Sequence, residues 1–230
     1  MRELFLNTPA MLFLTLGSYL LGLYAKTKSG ISLLHPFIIC IPVIIFFLKV
    51  TGITCSEYME HNQLITFLLG PSVVALGLPL YENIKTIKEN MAAILTAVVT
   101  GSFVGVASVY ILCKLLNLNE IFVLSLESKS VTTPIAMDLT KSLGGDISLT
   151  AVSVVLCGFM GAVIGPSLWK LFRLDHPVAR GLAMGCASHG LGTARAIEMG
   201  AVEGAVSGLS IALMGVATAL VIPLFNWLIQ

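Results

Sequence analysis

The sequence predicts an all-α, polytopic integral membrane helix bundle of about seven to eight segments, some of them broken or re-entrant. Three observations predict it. The 230 residues are 57% hydrophobic and only 11% charged, with a mean hydropathy of +0.96, whereas an average soluble domain is about 25% charged. Apolar runs of the roughly 20 residues needed to cross a bilayer recur along the whole length, so a lone signal peptide does not explain them. Short polar stretches carrying glycine, proline, hydroxyls and cations interrupt those runs.

The clear runs fall at residues 4–24, 33–50, 64–80, 91–116, 149–172, 180–199 and 206–229. The eighth candidate is 121–140, whose apolar part is too short to cross alone before Glu127 and Lys129 arrive, so it reads as a re-entrant or broken helix, with a surface loop as the alternative. In 64–80, Gly70, Pro71 and Pro79 are expected to break or kink the helix, because each proline removes a backbone donor. The three interruptions, each followed by a polar turn and another apolar run, suggest a reused unit of broken segment plus helix, an arrangement typical of transporters.

Basic residues orient the chain. Lys26, Lys28, Lys85, Lys88, Lys170, Arg173 and Arg180 all fall on the cytoplasmic side if the N-terminus is outside and 121–140 enters and leaves by one face. Gly101/Gly105, Gly161/Gly165, Gly181/Gly185 and Gly200/Gly204/Gly208 are spaced for close helix contact. The five cysteines are scattered, form no C-x-x-C pair and read as small apolar residues. Net charge is near +1 without a basic stripe, so nucleic acid is not expected as a partner.

Two stretches carry the chemistry. Lys129, Ser130, Thr132 and Thr133 precede Pro134, which predicts a half-helix whose positive end presents hydroxyls and an ammonium to a carboxylate. In the second, Ser188, His189, Gly190, Gly192 and Thr193 combine polar groups with cheap unwinding, and Arg195 can grip a carboxylate in a bidentate way or pair with Glu198 or Asp138. His189 is either a proton carrier or a hydrogen-bonded packing residue. A charge in such a setting is expensive unless a cavity or partner receives it. No hydrolase, metalloprotease, nucleotide or dinucleotide motif is present, so no enzyme, cofactor or metal is expected.

At these residues the chain resembles the LrgB/CidB family of bacterial membrane proteins. Lys129 to Met137 is similar to the family's P-K-S-V-T-T-P-I-A-M, Ala179 to Ala196 to A-R-G-L-A-M-G-x-A-S-H-x-x-G-T-A-R-A, and Gly70 to Tyr81 to G-P-x-x-V-A-L-x-x-P-L-Y. One departure is visible: Ser128 stands where the family usually has proline, and Glu127 before it adds an acid able to pair with Lys129. The resemblance implies a single integral membrane domain over 1–230, with its motifs in about 62–230, lodged in the bacterial inner or plasma membrane. It also implies two descriptions. One is an antiholin- or holin-like modulator of murein hydrolase activity and lysis; the other is a carrier of small monocarboxylates such as pyruvate, glycolate or glycerate, similar to the LrgB-like part of the plastid glycolate/glycerate transporter. Either implies a small LrgA/CidA-like membrane partner, and a homo-oligomer is left open.

Overall fold

The computed structural model describes residues 5–29 and 36–229, which form helices joined by short turns, without a strand among them. The first residue of the 4–24 run and residues 33–35 lie outside the described residues. Among those described, five helices are long and apolar enough to cross a membrane, and six if one bent pair counts as a span. The chain divides into two compact units, 1–75 and 76–230.

The first unit holds α1 (Thr8–Ser29), α2 (Pro36–Thr51), α3 (Cys55–His61) and α4 (Gln63–Ala75). α2 and α3 form the bent pair, at 113°. Gly22 lets α1 and α2 touch backbone to backbone, since a Cβ there would lie 2.6 Å from the Pro36 carbonyl oxygen. Thr15 Oγ1 of α1 bonds Tyr58 OH of α3 at 2.7 Å and Asn62 Oδ1 at 3.0 Å, which satisfies hydroxyls that hydrocarbon cannot.

The second unit holds α5 (Gly77–Glu82), α6 (Ile84–Glu89), α7 (Met91–Leu115), α8 (Glu120–Leu126), α9 (Thr133–Leu143), α10 (Ile147–Phe172), α11 (Pro177–Met199) and α12 (Ala201–Ile229). α7 and α12 run parallel, with Ser102 bonded to Thr218 and Val106 packed on Ile222. α10 runs the other way. Between them sit two helical hairpins.

The first hairpin is α8 and α9. Its base closes on itself: Gly145 lies against the Leu124 and Ser125 backbone, Ser125 Oγ accepts from the Asp146 N–H at 2.7 Å, and Thr150 donates to the Ser125 carbonyl at 2.9 Å. The chain thus leaves by the end at which it entered. Ser125, Glu127, Ser128 and Val131 are all buried, so the segment is re-entrant and not a surface loop. Gly144, at φ 81°, ends α9 in the left-handed region that glycine tolerates.

The second hairpin is α11, and here the crossing expected over 180–199 is corrected. The helix breaks at His189 (φ 39°, ψ −131°). Going in, Gly181 lies against Glu203 and Gly185 against Ser207; coming back, Thr193 meets Ser207, Ile197 meets Gly204, and Gly200 meets Glu203. The arms, 177–188 and 190–199, are about 18 and 15 Å long at 1.5 Å per residue, too short for a hydrocarbon layer of about 30 Å. The break falls at His189 and not at Gly192, whose missing Cβ instead lets the returning arm touch the Met184 carbonyl of the first arm.

Two further expectations are corrected. Gly70, Pro71 and Pro79 do not break their helices: Gln63–Glu82 passes as one apolar stretch long enough to cross, and its one irregularity, Leu76, keeps right-handed helical angles of −64° and −18°. Ser72 Oγ reaches back to the Leu68 carbonyl at 2.7 Å, adding a donor in the turn that Pro71 weakens, and Pro79 sits in the first turn of α5, where its N–H would lack a helical partner anyway. The Gly101/Gly105 pair is not a helix contact either. A Cβ at Gly101 would meet nothing within 4 Å.

These contacts set a contrast in stability. Gly181→Ala would push a methyl to 2.5 Å from the Glu203 carbonyl oxygen and is expected to destabilise by about 1–3 kcal/mol. Gly101→Ala should leave the midpoint unchanged or raise it, because alanine favours helix. Thermal unfolding in detergent checks both.

Candidate functional site

The hairpins enter from opposite ends, and their tips converge beside Val154 of α10. Val131 and Ala136 of the first share a buried cluster with Val154, and His189 of the second donates its Nε2–H to the Val154 carbonyl at 2.9 Å. A carbonyl only accepts, so Nε2 carries the ring proton. Gly158 gives the imidazole room, since a Cβ there would lie 2.5 Å from its Cε1. His189 is therefore a wedged, hydrogen-bonded group that holds a backbone turn otherwise strained for a residue with a Cβ.

Beside the tips lies an open cleft of about 490 Å³, lined among others by Lys129, Ser130, Gly101, Gly105, Cys186 and Ala187. Its other walls are apolar. Lys129 Nζ bonds Ser130 Oγ at 3.1 Å and makes no ion pair among the described residues. The expected pairing with Glu127 does not form: Glu127 is turned to Asn226 of α12, whose Nδ2 donates to Oε2 at 3.0 Å. Gly101 and Gly105 matter here as absent side chains that open the floor of the cavity.

The remaining expected residues fall elsewhere. Thr132 is the N-cap of α9, with Pro134 in the first turn as the sequence predicts, but its hydroxyl makes no capping bond. Thr132 and Thr133 are half-buried and do not line the cavity. Ser188 is fully buried; its Oγ packs on Gly161 and has no hydrogen-bond partner. Thr193 Oγ1 bonds Ser207 Oγ at 2.7 Å, and Gly190 faces open space. Arg195 does not join Lys129. It pairs with Glu198, and their side chains are 37% and 56% exposed.

Sequence reading missed Gly158, Val154, Ser207 and Asn226. Ser207 and Ser210 were readable in principle, because with Glu203 and Gly204 they form a small or polar stripe on α12 at helical spacing. The Glu127–Asn226 contact joins residues 99 positions apart, and no local pattern announces it.

The geometry separates two effects of mutation. Arg195→Ala removes an exposed pair worth at most about 0.5 kcal/mol, so thermal stability should hold. Gly158→Ala should evict the imidazole and raise hydrogen exchange across 188–199. Equal exchange in both variants would contradict the wedge.

Comparison with known proteins agrees with the motifs. A family model described as the LrgB-like family matches residues 15–228. A relative from Bacillus mycoides (strain KBAB4), named Antiholin-like protein LrgB, is 36% identical over 200 residues, which covers 87% of each chain. Proteins of the same name from Bacillus cereus (strain B4264) and Bacillus anthracis (strain CDC 684 / NRRL 3495) give the same identity and coverage. No solved structure matches. Multi-pass architecture, motifs and matched length together establish that the chain belongs to the LrgB-like family.

Proposed function

We propose that the protein is the membrane-embedded subunit of a carrier for small monocarboxylates of the pyruvate, glycolate or glycerate type. It works by alternating access with a small LrgA/CidA-like membrane partner in the bacterial plasma membrane. The observation that carries the reading is Lys129: an ammonium with no ion-pair partner among the described residues, lining a largely apolar cleft, at the tip of one of two hairpins that enter from opposite ends. Such a charge is costly in hydrocarbon unless an anion visits it. An anion held there is coordinated by Lys129 and the Ser130 hydroxyl, while Gly101 and Gly105 leave room for its carbon skeleton.

The arrangement also accords with alternating access. The first hairpin followed by α10 and the second followed by α12 share an order of elements in opposite orientations, the pattern expected of an inverted repeat in which one conformation mirrors the other. Charge supports a sidedness. Lys85, Lys88, Lys170, Arg173 and Arg180 lie at the end from which the second hairpin enters, against Lys114 and Lys141 at the other, so the richer end faces the cytoplasm.

The relatives' name favours a second reading, an antiholin-like protein, which the family resemblance would make a regulator of murein hydrolases and lysis. Lateral assembly of that kind gives no role to an ammonium in a cavity.

Reconstitution with the partner in liposomes tests the proposal. Wild type should take up labelled monocarboxylate, Lys129→Ala should lose it, and Arg195→Ala should keep it within about twofold, as expected of a screened surface pair. Absence of wild-type uptake across candidate acids, with lysis still responding to the chain, would overturn the carrier reading. Single cysteines replacing Lys114 and Lys141 should label from outside, and those replacing Lys88 and Arg173 only after permeabilisation.

A further inference from the structure

Glu127 is a buried ionisable group of the first hairpin that takes no part in holding the solute. It is 2% exposed. Asn226 bonds Oε2, while Oε1 is buried without a hydrogen-bond partner among the described residues. It caps the C-terminus of α8, the negative end of a helix, where a carboxylate is repelled.

The charged and titratable groups around it offer no compensation. On α7, Cys113 faces Glu127, and exposed Lys114 is set over the Tyr110 ring. Glu120, at the start of α8, is exposed, as are Asp138 and Lys141 of α9 and Asp146 before α10. Lys129 is turned to Ser130. α12 contributes an amide. Ionised, this carboxylate would be desolvated without a cation; protonated, it fits.

It lies between two spaces, one lined by its hydrogen-bond partner and the other by its near neighbour. Asn226 lines a cavity of about 320 Å³ at the outer end, together with Tyr110, Lys114, Glu120 and Val123. Two residues beyond Glu127, Lys129 lines the solute cavity. A proton can thus arrive from the outer cavity, while a solute anion waits on the other side of Ser128.

We infer that Glu127 is a proton-binding site, loaded through the outer cavity beside Asn226, and that it couples solute movement to proton entry. This coupling role rests on the carrier reading. The carboxylate takes a proton outside to become a neutral carboxyl, one monocarboxylate anion binds at Lys129, and both leave inside, so the cycle moves no net charge. Uptake should quicken as the outside is acidified.

Two independent measurements test it with the full chain. Infrared titration of the protein in lipid, without solute, should reveal a protonated carboxyl band that persists near neutral pH and vanishes in Glu127→Gln; a band unchanged in the variant overturns the site. In liposomes with the partner, Glu127→Gln should lose accumulation driven by a pH gradient while keeping solute exchange at equal pH. Retained accumulation with the wild-type pH profile overturns the coupling role. If wild type exchanges no acid, the carrier reading and the coupling role fall together, and the infrared band alone decides proton binding. Should Glu127→Gln not reach the membrane, Glu127→Asp decides: a displaced pH profile supports the inference, and an unchanged one overturns it.

Discussion

In hydrocarbon every backbone N–H and carbonyl must find a partner within the protein, and this constraint governs the whole second unit. A helix that stops halfway exposes unpaired groups at its tip, so half-helices survive only when pressed against other helices closely enough to exclude lipid. α12 provides that surface on its first half, where Glu203, Gly204, Ser207 and Ser210 are buried. Gly181 and Gly185 bring the incoming arm of α11 onto it without a Cβ between, and Thr193 binds the returning arm through Ser207. The first hairpin is held by hydroxyls instead: Ser125, Ser128, Thr140 and Thr150 form a buried network at its base.

The same packing that stabilises the tips makes them chemically useful. Where α7 lacks side chains, at Gly101 and Gly105, the packing leaves a cleft that Lys129 also lines. Polar groups not needed for the packing are few: the ammonium of Lys129, the hydroxyl of Ser188 and one oxygen of Glu127. Two of the three belong to the first hairpin, within two residues of each other, yet they face different partners. That divergence is what the proposed division of anion and proton between Lys129 and Glu127 rests on.

Much of this was legible in the sequence. Composition and run length gave the helical membrane class, and the short apolar stretch before Glu127 and Lys129 marked the first hairpin, with Pro134 opening its second arm. The second hairpin was read as a crossing because 180–199 has the length of one; its break falls on His189, a residue with a Cβ, held by a distant carbonyl and the hollow above Gly158. Pro71 and Pro79 misled in the opposite direction, since a nearby hydroxyl or a first-turn position removes the penalty that proline signals. Arg195 and Glu198, three apart on one helix, were a readable pair. Glu127 and Asn226 were not, because only the fold brings α8 to the end of α12.

The central claim is that the two hairpin tips meet around one cavity, and native Cys186 allows a direct test. In a chain that retains Cys186 as its sole original cysteine and carries Ser130→Cys, a short bifunctional thiol reagent should bridge the two positions within the membrane-embedded protein. Modification of each cysteine by a monofunctional reagent without any bridge between them would contradict the account.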